Sequence, residues 1–109
     1  MDMANSYIMV FLTTSSKMEA EKIAQSLISE KLIACANIIC PVSSFFQWRG
    51  TVERAEECLV VMKSRVDLFS ELVGCVKGLH SYEVPEVLAL PIVDGSAGYL
   101  GWMGEVLKK

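Results

Sequence analysis

The chain has 109 residues, of which 52% are hydrophobic and 21% are charged, and its net charge is −3. This length fits one domain, and the scattered lysines and arginines form no basic stripe that could bind nucleic-acid phosphates. The apolar share exceeds the roughly 45–50% of an average domain, and a domain of this size exposes much of its surface. We therefore expect a second copy of the chain to cover part of that surface.

The N-terminus and the cysteines predict a cytosolic protein with free thiols. The longest unbroken apolar run, Tyr7–Leu12, is too short to cross a membrane. Met1-Asp2-Met3 lacks the basic start of a signal peptide. No two cysteines form a C-x-x-C pair, and each lies in an apolar stretch, so we expect four buried free thiols. The cysteines are Cys35, Cys40, Cys58 and Cys75.

The first half of the chain predicts a strand, a helix and one arm of a hairpin. Tyr7–Leu12 is short and apolar, as in a buried strand. Ser16 and Glu19 have the S-x-x-E spacing of a capping box, and the apolar residues that follow repeat at helical spacing. Leu32–Trp48 is a long extended stretch, in which Pro41 predicts a bend or a bulge.

The second half completes the hairpin and adds a helix, a strand and a last helix. Arg49-Gly50 marks the turn, and Val52–Lys63 is the return arm. After the second helix, the loop His80–Glu86 leads to a fourth strand at Val87–Val93. This order predicts one α+β, ferredoxin-like βαββαβ domain of residues 1–109, with a four-stranded antiparallel sheet and a C-terminal helix. Because the hairpin arms are about twice as long as the outer strands, the hairpin should protrude and pack on other copies.

The sequence contains no complete catalytic motif. It has no G-x-S-x-G elbow and no phosphate-binding G-x-x-x-x-G-K-[ST] loop. Three carboxylates, Glu53, Glu56 and Glu57, are typical of the solvated face of an exposed strand. His80, the single histidine, is either a helix-terminal residue bonded to backbone or a metal ligand. We predict that the chain is not an enzyme.

Five ordered motifs resemble those of the CutA divalent-cation tolerance proteins, over about residues 7–107. The most distinctive is His80–Glu86, which resembles the family's H-P-Y-E-x-P-E motif with Ser81 in place of the proline. The others are Ala34–Ile38 (A-C-x-N-I in the family), Trp48-Arg49-Gly50 (the W-x-G hairpin tip), Lys63 (the lysine ending the third strand), and Pro91–Ser96 with Tyr99, Leu100 and Trp102 (the closing pattern).

The resemblance implies a homotrimer in which long hairpins join the sheets edge to edge, with a role in divalent-cation tolerance. It also implies binding of copper or another divalent cation, for which the candidate ligands are His80, Glu83 and, as a softer donor, Cys35. Some family members bind copper through a cysteine near the end of the first strand and paired histidines. Because this chain has Leu12 and Leu79 there, we expect a weaker, exchangeable site.

The same architecture is similar to that of nitrogen-regulatory trimers, which bind small ligands in clefts between subunits. In this alternative the protein is a signalling or scaffold trimer whose clefts are lined by Trp48, Lys63 and Tyr82. Trp48 would stack on the ligand, and Lys63 would contact an anionic group. Neither hypothesis includes nucleic acid or a membrane as a partner.

Overall fold

The computed structural model describes residues 6–109, so Met1-Asp2-Met3 and the expectation based on it lie outside the described residues. The elements in chain order are β1 (Tyr7–Thr14), α1 (Lys17–Ser29), β2 (Cys35–Trp48), β3 (Thr51–Arg65), a 3-10 turn (Val66–Leu68), α2 (Phe69–Leu79), β4 (Val87–Pro91) and α3 (Ala97–Val106). The strands form one antiparallel sheet in the order β2-β3-β1-β4. This is the predicted α+β, ferredoxin-like arrangement. No helix in the described range is long and apolar enough to cross a membrane.

One face of the sheet packs against α1 and α2 and forms the core. Along β1, and along β3 from Cys58 onward, every second side chain is buried, because side chains alternate between the two faces of a strand. Helix α1 begins where the sequence indicates, since the hydroxyl of Ser16 caps it by accepting from the backbone N–H of Glu19 at 3.1 Å. Fully buried members of this core are Val10, Leu12, Ile23, Leu27, Val60, Met62, Leu72 and Val76.

The opposite face, here called the open face, carries an apolar patch that is largely uncovered. Leu88 is 57% exposed, Ile39 50% and Leu90 44%. Phe11 and Val61 lie between them and are half-buried. Part of the surplus of hydrophobic residues in the composition is therefore found on this face, and another part lies on the hairpin.

The hairpin protrudes from the sheet as predicted. β1 pairs with β3 only as far as Cys58, so Thr51–Glu57 pairs with β2 alone. The turn is formed by Arg49 and Gly50, with φ values of 51° and 81°. Two consecutive positive φ values are typical of the tight turns that match the twist of a hairpin. The protrusion gives the molecule its longest dimension, 44 Å against 26 Å and 22 Å.

The predicted interruption at Pro41 is a β-bulge. Ile39 pairs with Leu59, and Val42 pairs with Glu57, so two residues of β2 lie opposite one residue of β3. The peptide bond that precedes Pro41 is cis.

The prediction of four free thiols is wrong, because Cys40 and Cys58 form a disulfide. The bulge brings these two cysteines opposite each other, with their Cα atoms 4.5 Å apart, a separation that a disulfide spans. Cys35 and Cys75 are free and half-buried. The apolar surroundings of a cysteine do not reveal such a pair, since the contact depends on the register of the two strands.

Candidate functional site

The loop of residues 80–86 is fastened to the end of β1 by His80, whose side chain is completely buried. Its Nε2 lies 2.8 Å from the carbonyl oxygen of Thr13. Its Nδ1 accepts a hydrogen bond from the backbone N–H of Tyr82 at 2.9 Å. A ring that accepts at Nδ1 carries its proton at Nε2, which therefore donates to Thr13. Both ring nitrogens are already occupied within one subunit.

Glu19 connects the same loop to α1. Its Oε2 accepts from the backbone N–H of Ser81 at 2.6 Å, and its Oε1 accepts from the backbone N–H and the hydroxyl of Ser15, each at 2.9 Å. Burial raises the pKa of Glu19, but the hydrogen bonds from Ser15 and Ser81 outweigh burial and lower the pKa to about 2. The carboxylate is therefore charged at any ordinary pH, and it lies 3.8 Å from Nδ1 of His80.

Tyr82 forms the third attachment of the loop. Its hydroxyl donates to Oε2 of Glu57 at 2.7 Å. Burial, this hydrogen bond and the negative charges of Glu57 and Glu19 raise the pKa of Tyr82 to about 12. Glu57 is only 8% exposed, so the expectation of a solvated face is wrong for this residue. The reason is that β3 passes the end of β1 here, where Tyr82 reaches its carboxylate.

The three predicted metal ligands do not converge within one subunit. The ring of His80 is directed at backbone groups, and Glu83 is exposed on the loop. Cys35 pairs with Lys63, which in turn pairs with Met9 of β1. Met9 is four residues from Thr13, the residue bonded to His80, so Cys35 and His80 are separated by roughly 13 Å along the strand. In the described part of the chain, no three or more His, Cys, Asp and Glu side chains are grouped so that they could hold a metal ion.

Cys35 and Lys63 belong to a second polar cluster on the open face. They lie directly opposite each other on β2 and β3, with Nζ of Lys63 3.4 Å from Sγ of Cys35. Lys63 also donates to Oδ1 of Asn37. Its contacts are therefore a cysteine sulfur and an amide oxygen rather than a carboxylate, and none of the ion pairs within residues 6–109 includes Lys63.

Helix α3 adds two aromatic side chains to this cluster. The hydroxyl of Tyr99 lies 3.5 Å from Sγ of Cys35, and this hydrogen bond, together with burial and the charge of Cys35, raises the pKa of Tyr99. The ring of Trp102 lies 5.5 Å from that of Tyr99, and both are about two-fifths exposed. α3 approaches the sheet closely at Gly104, where a Cβ atom would lie 2.7 Å from the hydroxyl of Tyr7.

The three predicted cleft residues also lie apart within one subunit. Trp48 is 58% exposed at the hairpin tip, where the guanidinium of Arg49 lies 5.6 Å from its ring. Trp48 pairs with Thr51, whereas Lys63 pairs with Cys35. The separation is thirteen residues of β2, or roughly 40 Å. Only a neighbouring copy can bring a Trp48 ring close to a Lys63 ammonium.

Four residues that hold these two clusters together could not be recognised as site residues from the sequence. Glu19 was identified only as a helix-capping residue, and Glu57 as one of three solvated carboxylates. Asn37 and Tyr99 lie in quoted family motifs, so their position in those motifs was the available signal. Their contacts join residues 25 to 64 positions apart, which no local pattern reveals.

Comparison with known proteins matches residues 8–106 to the family described as CutA1 divalent ion tolerance protein. The divalent-cation tolerance protein CutA of Archaeoglobus fulgidus is 40% identical over 99 residues, which cover 91% of this chain and 96% of the relative. The chloroplastic protein CutA of Arabidopsis thaliana is 41% identical over 88% of this chain and 53% of the relative. The chain thus spans about half the length of the plant relatives it matches.

Solved structures agree with the family match. The crystal structure of CutA1 from Oryza sativa has a TM-score of 0.94 and 38% identity over 99% of both chains. The structure of a periplasmic divalent cation tolerance protein CutA from Archaeoglobus fulgidus has a TM-score of 0.91 and 39% identity, over 94% of this chain and 99% of that one. As its motifs predicted, the chain belongs to the CutA1 divalent-ion tolerance family.

Proposed function

We propose that this divalent-cation tolerance protein works as a homotrimer of one domain per subunit, residues 1–109, and binds copper or another divalent cation in clefts between subunits. The observation that carries the proposal is the uncovered open face. The helix face is complete within one chain, whereas Leu88, Leu90 and Ile39 are about half exposed. Contiguous apolar surface of this kind is typical of a protein interface.

The hairpin supports the same assembly. Phe45 is 66% exposed and Phe46 44%, on a part of the hairpin that pairs with no third strand in the described structure. A two-stranded hairpin is marginally stable alone in water. Contact with neighbouring copies would stabilise it, and the family resemblance supports three copies as the number proposed.

Cation binding by His80, Glu83 and Cys35 requires contributions from more than one subunit. Glu83 is exposed and free to face a neighbour. His80 can ligate through Nδ1 only if the backbone N–H of Tyr82 gives up its hydrogen bond, and Lys63 disfavours a cation beside Cys35. Each of these facts supports weak, exchangeable binding rather than a closed structural site.

Two measurements test this proposal. Light scattering coupled to gel filtration should give about 36 kDa, three copies of the 12.0 kDa chain; a monodisperse monomer would contradict the trimer. Calorimetric titration of the unreduced protein with copper(II) and zinc should give binding that weakens in His80→Ala and Glu83→Gln. The cleft site is wrong if both variants bind as tightly as the parent.

A second candidate function is binding of a small organic anion at Lys63, beside the aromatic rings of Tyr99 and Trp102. The observation that favours it is a half-buried lysine whose ammonium contacts a cysteine sulfur and an amide oxygen but no carboxylate, since a charge removed from water is costly without a counter-ion. Trp48 and Tyr82 of neighbouring copies would complete the cleft. Native mass spectrometry of gently purified protein should then show an added organic mass, which Lys63→Met abolishes and Lys77→Met, on exposed α2 surface, retains.

A cytosolic location remains part of the proposal. Relatives are named as chloroplastic and periplasmic, and a disulfide is uncommon in a reducing compartment. Cell fractionation with antibody detection would test the location directly. Recovery of the protein in an organelle or periplasmic fraction would contradict it.

A further inference from the structure

We propose that the Cys40–Cys58 pair, once reduced, is a binding site for copper(I). This copper(I) site differs from the proposed cleft site, because it uses two other residues, lies within one subunit and requires thiols. Nothing in the resemblance to relatives assigns it, since the copper-binding cysteine of those members falls at Leu12 in this chain.

The backbone fixes this pair of cysteines. Their Cα atoms are 4.5 Å apart across the bulge, and strand pairing continues on both sides of it, from Ile39 to Leu59 and from Val42 to Glu57. Breaking the sulfur–sulfur bond leaves these flanking pairs in place. The two thiols therefore stay within reach of one ion, and little chain entropy is lost when it binds.

The pair suits a soft ion that needs few ligands. Thiolates select copper(I) over harder cations, and copper(I) is stable with two thiolate ligands in a linear arrangement. A site of two sulfurs therefore needs no third ligand. The flanking residues Ile39, Leu59, Val42 and Glu57 include no cation, in contrast to Cys35, which lies beside the ammonium of Lys63.

Exposure makes the two sulfurs chemically different. Cys58 is 5% exposed and belongs to the core cluster, whereas Cys40 is exposed at the edge strand. A small thiolate can therefore reach the sulfur of Cys40, forming a mixed disulfide there and expelling the thiolate of Cys58. A second small thiolate attacks the outer sulfur of that mixed disulfide and releases Cys40. The two small thiols become one disulfide, and their protons pass to the two cysteines.

The state of this bond would control the site. The disulfide has no thiolate to offer, whereas the dithiol releases two protons to the solvent as it binds one copper(I) ion through two copper–sulfur bonds. Copper(I) is the form that a reducing compartment favours, and such a compartment also keeps the pair reduced. Site and ion would therefore become available under the same conditions.

The test is an anaerobic titration of the full chain with copper(I), in competition with the coloured chelator bicinchoninate. Protein that has been reduced and freed of reductant should withdraw about one copper(I) per chain, as expected for two thiolates sharing one ion. Unreduced protein should withdraw none at this site. The proposal is overturned if both withdraw the same amount, or if unreduced, denatured protein has four reactive thiols.

The variants separate this pair from the other two cysteines. Reduced Cys40→Ser should lose the copper(I), and because Cys40 is exposed, circular dichroism should show an intact fold. The double variant Cys35→Ser/Cys75→Ser should retain it; the reverse pattern would contradict the assignment. The cleft site is tested with unreduced protein, copper(II) and His80→Ala, so either result can fail without the other.

Discussion

The two faces of the sheet are built from the same strands, but one face is buried and the other is largely exposed. On β1, Leu12 is fully buried beneath the helices, whereas its neighbour Phe11 faces the open side and is half-buried beside Leu88, which is 57% exposed. Both faces carry large apolar side chains, so the presence of such side chains does not distinguish the two faces. The difference is that one face is completed by the chain's own helices, whereas the other requires material from outside the subunit.

The largest effect should follow a charge placed on the open face. In Leu90→Asp, every subunit would carry a carboxylate into the proposed interface, where an unpaired charge is costly to bury. We expect the trimer to dissociate to a chain of 12.0 kDa in light scattering, with circular dichroism little changed. Val93→Asp is the matched control, because Val93 is 89% exposed outside the strands, and it should remain trimeric. If Leu90→Asp stays trimeric, the interface lies elsewhere.

A cavity in the helix face should destabilise each subunit instead. Leu12→Ala removes a fully buried side chain, which we expect to lower the free energy of unfolding by about 2–5 kcal/mol. Urea unfolding measures this loss, and light scattering below the transition should still show a trimer. The proposed difference between the two faces would be contradicted if Leu88→Ala lowered the free energy of unfolding as much as Leu12→Ala and left the association of subunits unchanged.

The loop of residues 80–86 adds a dependence of stability on pH in the acid range. Because the pKa of Glu19 is lowered from 4.5 to about 2 in the folded chain, its stabilisation is complete above pH 4.5 and is lost as the pH falls towards 2. The contribution amounts to at most about 3 kcal/mol. Glu19→Gln should reduce the slope of stability between these pH values in acid titration followed by fluorescence. An unchanged slope would place the acid sensitivity in another carboxylate.

The smallest effect should come from the hydroxyl of Tyr82. Tyr82→Phe leaves the carboxylate of Glu57 without its donor, and we expect a loss of about 1–3 kcal/mol in urea unfolding. Tyr99→Phe is the control and should cost less, because Tyr99 is 43% exposed and bonds a thiol. Spectrophotometric titration gives a second readout, since the tyrosine with a pKa of about 12 should disappear from the curve of Tyr82→Phe. Equal losses in the two variants would contradict the assignment.

Features set by neighbouring residues could be predicted from the sequence. The cap at Ser16, the tight turn at Arg49-Gly50 and the interruption at Pro41 each depend on a few adjacent positions. Together with the order of the elements they define the fold. The five motifs identify the family by residue type and order alone, without any knowledge of the contacts that their residues make.

The candidate sites could not be predicted in the same way, because they depend on register and on loop placement. The Cys40–Cys58 disulfide follows from a bulge whose position within β2 must be known to one residue. The burial of Glu57 follows from the point at which β3 passes the end of β1. The sequence offered both a structural and a metal-binding interpretation of His80, and the hydrogen bonds to Thr13 and Tyr82 describe the first; metal binding stays a prediction.

At the bulge, β2 contains one more residue than β3 between the flanking pairs. On its sheet side, odd-numbered residues such as Ile39 share a face with Leu59; on its tip side, even-numbered residues such as Val42 share that face with Glu57. A variant that lacks Pro41 could keep all the remaining pairs between β2 and β3, because Cys40 and Pro41 together lie opposite the single residue Cys58. Natural relatives should therefore differ in length by one residue here more readily than elsewhere in the hairpin. A sequence alignment would place such a gap at the bulge, and the aromatic residues of the tip would keep their faces.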